Sequence, residues 1–144
     1  MEEVIHYLEL KNKYYEKFFT LTSKFLRQIN KDEWEGTELL LDNRERILNI
    51  IRSFDHKVAH LFGQIDVDDQ RLEAYRPRVK RLLNDRAAWV GKIVALDLEL
   101  MSRIEEVKSE TIRELKRTVE TAQQLTSFED HAGPARSEKK PREV

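Results

Sequence analysis

The sequence predicts an all-α protein: an elongated antiparallel three-helix bundle with one overlong third helix and a fourth helix that is short or absent. Three observations carry that expectation. The 144 residues include only four Gly and three Pro, too few corners for a sheet protein of this size. Apolar residues recur at threes, fours and sevens along most of the chain, which is the repeat of one helix face. From about Arg78 to Leu125 only Gly91 interrupts the helical pattern. At ~1.5 Å of rise per residue that element would be roughly 70 Å long and would outrun its companions.

The first helix is expected from about Glu2 to Asn30. Val4, Leu8, Tyr15, Phe18, Phe25 and Ile29 form its apolar face, and Tyr7, Tyr14, Phe19, Leu21 and Leu26 widen it. Asn30-Lys31-Asp32 marks the break. Asp32 suits an N-cap, with Glu35 three residues on to complete a capping box and Trp34 beginning the next apolar stripe. Gly36 then falls in the first turn, at a cost of ~1 kcal/mol relative to Ala. Leu41, Leu48, Ile51, Val58 and Leu61 continue the stripe, with Leu40, Ile47, Phe54 and Phe62 beside it. Gly63 is placed to close the second helix in a left-handed cap. Gln64 to Asp69 reads as a loop with Asp66 and Asp68 as caps, followed by a short helical piece at about 70–75. Pro77 either begins or kinks the third helix. The division expected is a helical bundle over 1–128 and a disordered polar tail over 129–144, where almost nothing is available to bury.

Several function classes are disfavoured by composition. Lys and Arg number 26 against 27 Asp and Glu, so no global field draws nucleic acid or anionic lipid. Cysteine is absent, which removes disulfides and thiolate chemistry. The acidic start Met-Glu-Glu-Val does not read as a secretory signal, and no apolar run approaches the ~20 residues of a membrane span. A cytoplasmic protein with no membrane insertion is expected.

No residue set assembles into chemistry. His56 and His60 lie one helical turn apart, a spacing that can bind zinc, but Lys57 stands where a zinc protease carries its Glu base. No third ligand is implied, so no metal and no cofactor are expected. His60 on a helix invites comparison with phosphotransfer histidines, yet Gly63 occupies the offset wanted for Lys. Arg76, Arg78, Lys80, Arg81 and Arg86 form a basic cluster whose aromatics, Tyr75 and Trp89, sit at its ends rather than between the charges. Sequence reading of nucleic acid needs them interleaved on one face, so a solvated face is the expectation. An enzyme is not expected.

The informative feature is on the third helix. Ile93, Leu96, Leu100, Ile104 and Val107 make one stripe, while Val90, Val94, Leu98 and Met101 make a second beside it that Ile112, Leu115 and Val119 continue. Together they span an arc of roughly 200°, twice what an edge helix of a bundle buries. One cover for the excess is a central position in the bundle or a homodimer. The other is an amphipathic helix from a partner, seated in a groove built on the second stripe, with Val90, Val94, Leu98, Met101, Ile112, Leu115 and Val119 as the partner-binding residues and Met101 lending tolerance in packing.

The run from Phe25 to Glu35 with its turn Asp32-Glu33-Trp34-Glu35, the stretch Leu39 to Leu48, and the later run Ile93 to Met101 followed by Glu105 to Leu115 resemble the flagellar export chaperones of the FliT family over about Tyr14 to Leu125. The turn with Trp34 is the specific marker. The resemblance implies a chaperone that binds the flagellar filament-cap protein before type III export, keeps it from assembling early, and delivers it to the export ATPase. It also implies a fourth helix folded over the client groove, where this sequence offers only Thr121 to Phe128. A chaperone for hook–filament junction proteins and a non-flagellar dimerisation or adaptor module are the alternatives.

Overall fold

The computed structural model describes the backbone of residues 1–139 and the side chains of residues 1–128. It contains α1 (Glu2–Asn30), α2 (Thr37–Gly63), a 3-10 turn (Gln70–Ala74) and α3 (Arg76–Lys139), with no strand among the described residues. The all-α class is therefore shown. The chain divides into two units, Met1–Arg103 and Ile104–Val144, so α3 contributes to both.

In the first unit α1 and α2 are antiparallel. Lys11 pairs with Asp55, Tyr7 and Tyr14 both lie against the Phe54 ring, and further along α1 the Phe18 ring meets Arg44. The third helix runs in the same direction as α1. Arg78 reaches Glu2 and Glu9 at 3.2 and 3.8 Å, Asn12 donates to the Leu82 carbonyl at 3.1 Å, and the Phe19 and Trp89 rings are 5.8 Å apart. The path is up, down, up.

The core is centred on α1. Val4, Ile5, Leu8, Phe18, Phe25, Leu26 and Ile29 are buried there, against Leu40 and Ile51 from α2 and Leu100 from α3. The wide apolar face read on α1 is used on two sides, which leaves α3 peripheral. Arg44 joins all three helices. Its guanidinium lies 4.7 Å from the centre of the Phe18 ring and donates to Asp97 Oδ1 at 3.0 Å.

The connection between α1 and α2 departs from expectation. Asp32 does not cap α2. It has φ 57° and ends α1: its N–H donates to the Ile29 carbonyl at 3.0 Å and that of Glu33 to the Gln28 carbonyl at 2.8 Å, the paired bonds of a Schellman motif. An Asp tolerates this left-handed position better than most side chains. Glu35 makes no capping bond, and Trp34 lies outside the helix, 42% exposed. The N-cap of α2 is Gly36 at φ 81°, where a residue without Cβ carries no strain. Because Trp34 is not on α2, it does not set the helix's phase; Leu40 and Ile51 turn inward and Leu41 stays exposed.

The end of α2 is also corrected. Gly63 is helical rather than left-handed, and the helix closes by tight bonds from Gln64 N–H to Leu61 and from Ile65 N–H to Phe62. After the loop, Asp69 is the cap of the 3-10 turn, accepting from the Arg71 N–H at 2.9 Å; Asp66 instead accepts from the Asp68 N–H. Bonds from the Arg71 side chain, then from its backbone N–H, hold the Asp69 carboxyl below the usual carboxylate range. The cap is thus complete above the ordinary carboxylate pKa and is lost as pH falls through the lowered one.

In α3, Pro77 falls in the first turn, where its missing N–H costs nothing, and Gly91 does not interrupt the helix. The helix passes through Leu125 and Phe128 to Lys139, well past the expected end. No separate fourth helix occurs among the described residues. Of the tail expected over 129–144, residues 129–139 are helical in backbone, and 140–144 lie outside the described residues.

Two substitutions should move stability in opposite directions. Thr22 is fully buried and its hydroxyl has no hydrogen-bond partner among the described residues. Thr22→Val should raise the unfolding free energy by about 1 kcal/mol in a urea titration. Nothing lies within 4 Å of a Cβ built on Gly36, so Gly36→Ala should lower it by about 1 kcal/mol through backbone strain alone.

Candidate partner-docking surface

The seven residues singled out on α3 fall in both units, and each group stands by itself. In the first unit a helix can turn only one side to its neighbours. The stripe of Trp89, Ile93, Leu96 and Leu100 is half-buried to buried, Leu100 being 3% exposed. Val90, Val94, Leu98 and Met101 are consequently outside, Leu98 and Met101 each at 62%. The expectation of uncovered apolar side chains on α3 holds in this unit. As its central alternative has it, α3 touches both α1 and α2, yet neither of them covers this row.

Leu83, seven residues before Val90, is exposed as well and extends the row by two turns. The signal for it was the seven-residue interval itself, hidden by the basic residues Arg81 and Arg86 around it. The row therefore reads Leu83, Val90, Val94, Leu98 and Met101, at intervals of seven, four, four and three. Isolated exposed aliphatics are ordinary, but a contiguous row is a mark of an interaction surface.

In the second unit Ile112, Leu115 and Val119 are exposed. With Lys116 and Glu120 they line a shallow depression of about 310 Å³. Leu125 and Phe128 are exposed too.

The other candidates are dispersed. Asp32, Trp34 and Glu35 form the surface turn described above. His56 and His60 are both exposed on α2, and the His60 ring meets the Gln64 side-chain nitrogen at 3.2 Å. No group of three or more potential metal ligands occurs among the described residues. Within the basic cluster, Arg76 pairs with Glu73 and Arg78 with Glu2 and Glu9, so part of its charge ties α3 to its neighbours. No helix among the described residues is long and apolar enough to cross a membrane.

A feature that sequence reading missed lies between α1 and α2. A groove of about 730 Å³ opens there, with α3 contributing nothing to its walls.

Comparison with family models, with curated proteins and with solved structures finds no match to the chain.

The exposures on α3 separate surface from core within three residues. Leu98→Asp should leave helicity unchanged by circular dichroism and alter the unfolding free energy by about 1 kcal/mol or less. Leu100→Ala should cost about 2–5 kcal/mol.

Proposed function

We propose that this chain is a binding protein that captures an amphipathic helix of a partner on the α3 face formed by Val90, Val94, Leu98 and Met101. The observation that carries the reading is the exposure of this row beside a buried one on the same helix. A partner helix presenting apolar residues at the same intervals would lie along it. Fully covering an aliphatic side chain is worth ~1.5–3 kcal/mol. Four such residues, already partly covered in the free protein, supply enough to offset a substantial part of the entropic cost of association. Binding is proposed because the exposed row is a surface of contact, which a partner can cover.

The narrower reading concerns the partner. Through the turn at Asp32-Glu33-Trp34-Glu35 and the run Ile93 to Met101, the chain resembles the FliT family. On that ground the client is the flagellar filament-cap protein, held in the cytoplasm through its C-terminal helix and handed to the export ATPase. Ile112, Leu115 and Val119 would add a separate contact in the second unit. This narrower reading is supported by the resemblance alone; the broader one is supported by the exposed row.

Isothermal titration of the purified chain with the filament-cap protein, and separately with hook–filament junction proteins, tests both levels. The expected result is binding of the cap protein that Leu98→Asp abolishes while the fold persists. Binding of the junction proteins instead would replace the client and keep the docking face. If neither binds, and light scattering across a dilution series shows a dimer that Leu98→Asp dissociates, the face serves self-association and the chaperone reading is wrong.

A further inference from the structure

The groove between α1 and α2 is chemically unlike the α3 face. Its floor is apolar, formed by half-buried Tyr14, Leu21, Ile47 and Ile50. Its rim is basic: exposed Lys13, Lys17, Lys24 and Arg46 face a single carboxylate there, Glu16. We propose that this groove docks an acidic amphipathic helix of a partner protein, at a surface distinct from the one on α3.

Charge complementarity is the first argument. Several cations of the first unit are paired within the fold: Lys11 with Asp55, Arg44 with Asp97, Arg52 with Glu45, Arg71 with Asp69, and Arg78 with Glu2 and Glu9. None of the four rim cations forms an ion pair among the described residues. Lys17 instead lies 4.6 Å from the centre of the Tyr14 ring, which holds its ammonium at the groove's edge. Four cations against one carboxylate thus leave net positive charge around this apolar trough, in a chain whose net charge is only −1.

Shape is the second argument. From Lys13 to Lys24 the α1 wall is roughly 16 Å long at 1.5 Å per residue, the length of three turns of a docked helix. Tyr14 and Leu21 lie two turns apart on one wall, and Ile47 and Ile50 one turn apart on the other. Knobs at those intervals are what a third helix presents to a two-helix trough. Carboxylates flanking the partner's apolar stripe would meet the lysines and Arg46, setting direction and register, while the floor supplies the burial.

The probe is a fluorescein-labelled 18-residue peptide with Leu at two positions per heptad and Glu elsewhere, compared with the same peptide carrying Lys for Glu and with phosphatidylglycerol vesicles. Anisotropy should show binding of the acidic peptide that weakens with added salt and falls at least tenfold in Lys17→Glu/Arg46→Glu. Amide shift changes should centre on Tyr14, Leu21, Ile47 and Ile50, and Leu98→Asp should bind as the parent does. Should the charge reversal disturb folding, Lys13→Gln/Lys24→Gln provides the same comparison with a smaller change. Equal binding of the Lys peptide, undiminished binding by both charge variants, loss of binding in Leu98→Asp, or binding of vesicles without the acidic peptide would each overturn the proposal.

Discussion

The contact among Phe18, Arg44 and Asp97 determines how the third helix is presented. Arg44 is largely buried, with its guanidinium against the Phe18 ring and one nitrogen on the Asp97 carboxylate. Asp97 sits between Leu96, which is half-buried, and Leu98, which is exposed. Turning α3 by one residue, ~100°, would carry Asp97 away and leave a buried cation uncompensated, a penalty of several kcal/mol. An apolar stripe can slip or rotate against another at modest cost, but a directional bond to a buried charge cannot. The pair therefore helps fix which α3 side chains are inside.

That fixed rotation matters because α1 already fills the middle of the bundle. Its Tyr7 and Tyr14 contact Phe54 of α2, and its Phe19 contacts Trp89 of α3. With α1 touching both companions, α3 needs only one narrow stripe for the core. Leu100 is the α3 side chain that reaches it fully. The second apolar stripe on α3 is surplus to folding, and surplus aliphatic surface in a contiguous row is the physical ground for a docking role.

The helices themselves were legible because their evidence is local and repeated. Val4 to Ile29 marks α1 through about seven turns of consistent spacing, and no single residue decides it. The turns were less legible because each rests on one residue with two competing uses. Asp32 has the side chain of an N-cap and also the tolerance for positive φ that ends a helix; the Gln28 and Ile29 carbonyls decided for the latter. Gly36 and Gly63 were each assigned the other's kind of role, since nothing in composition says which glycine will be left-handed. The α3 row was legible from its spacing. The second of the two adjacent stripes was read as the outward one; what holds it outward was not legible, because that depends on Arg44, on another helix. The basic-rimmed groove escaped for the same reason: Lys17 and Arg46 are nearly thirty residues apart, and only the antiparallel pairing of α1 with α2 brings them to one edge.

The two surfaces of the first unit divide the physics of recognition differently. The α3 row is built of exposed aliphatic side chains, so a partner's affinity there comes chiefly from buried area. The α1–α2 groove offers less continuous apolar surface but surrounds it with cations, so discrimination between partners comes from the sign of their flanking residues. A helix bearing lysines beside its apolar stripe could settle on α3 yet would be repelled from the groove. A helix bearing glutamates could engage both faces and would favour the groove at low ionic strength. Selectivity between the two sites thus requires no conformational change in the bundle; it follows from where Arg44 finds a carboxylate on α3 and where Arg46, two residues on, finds none.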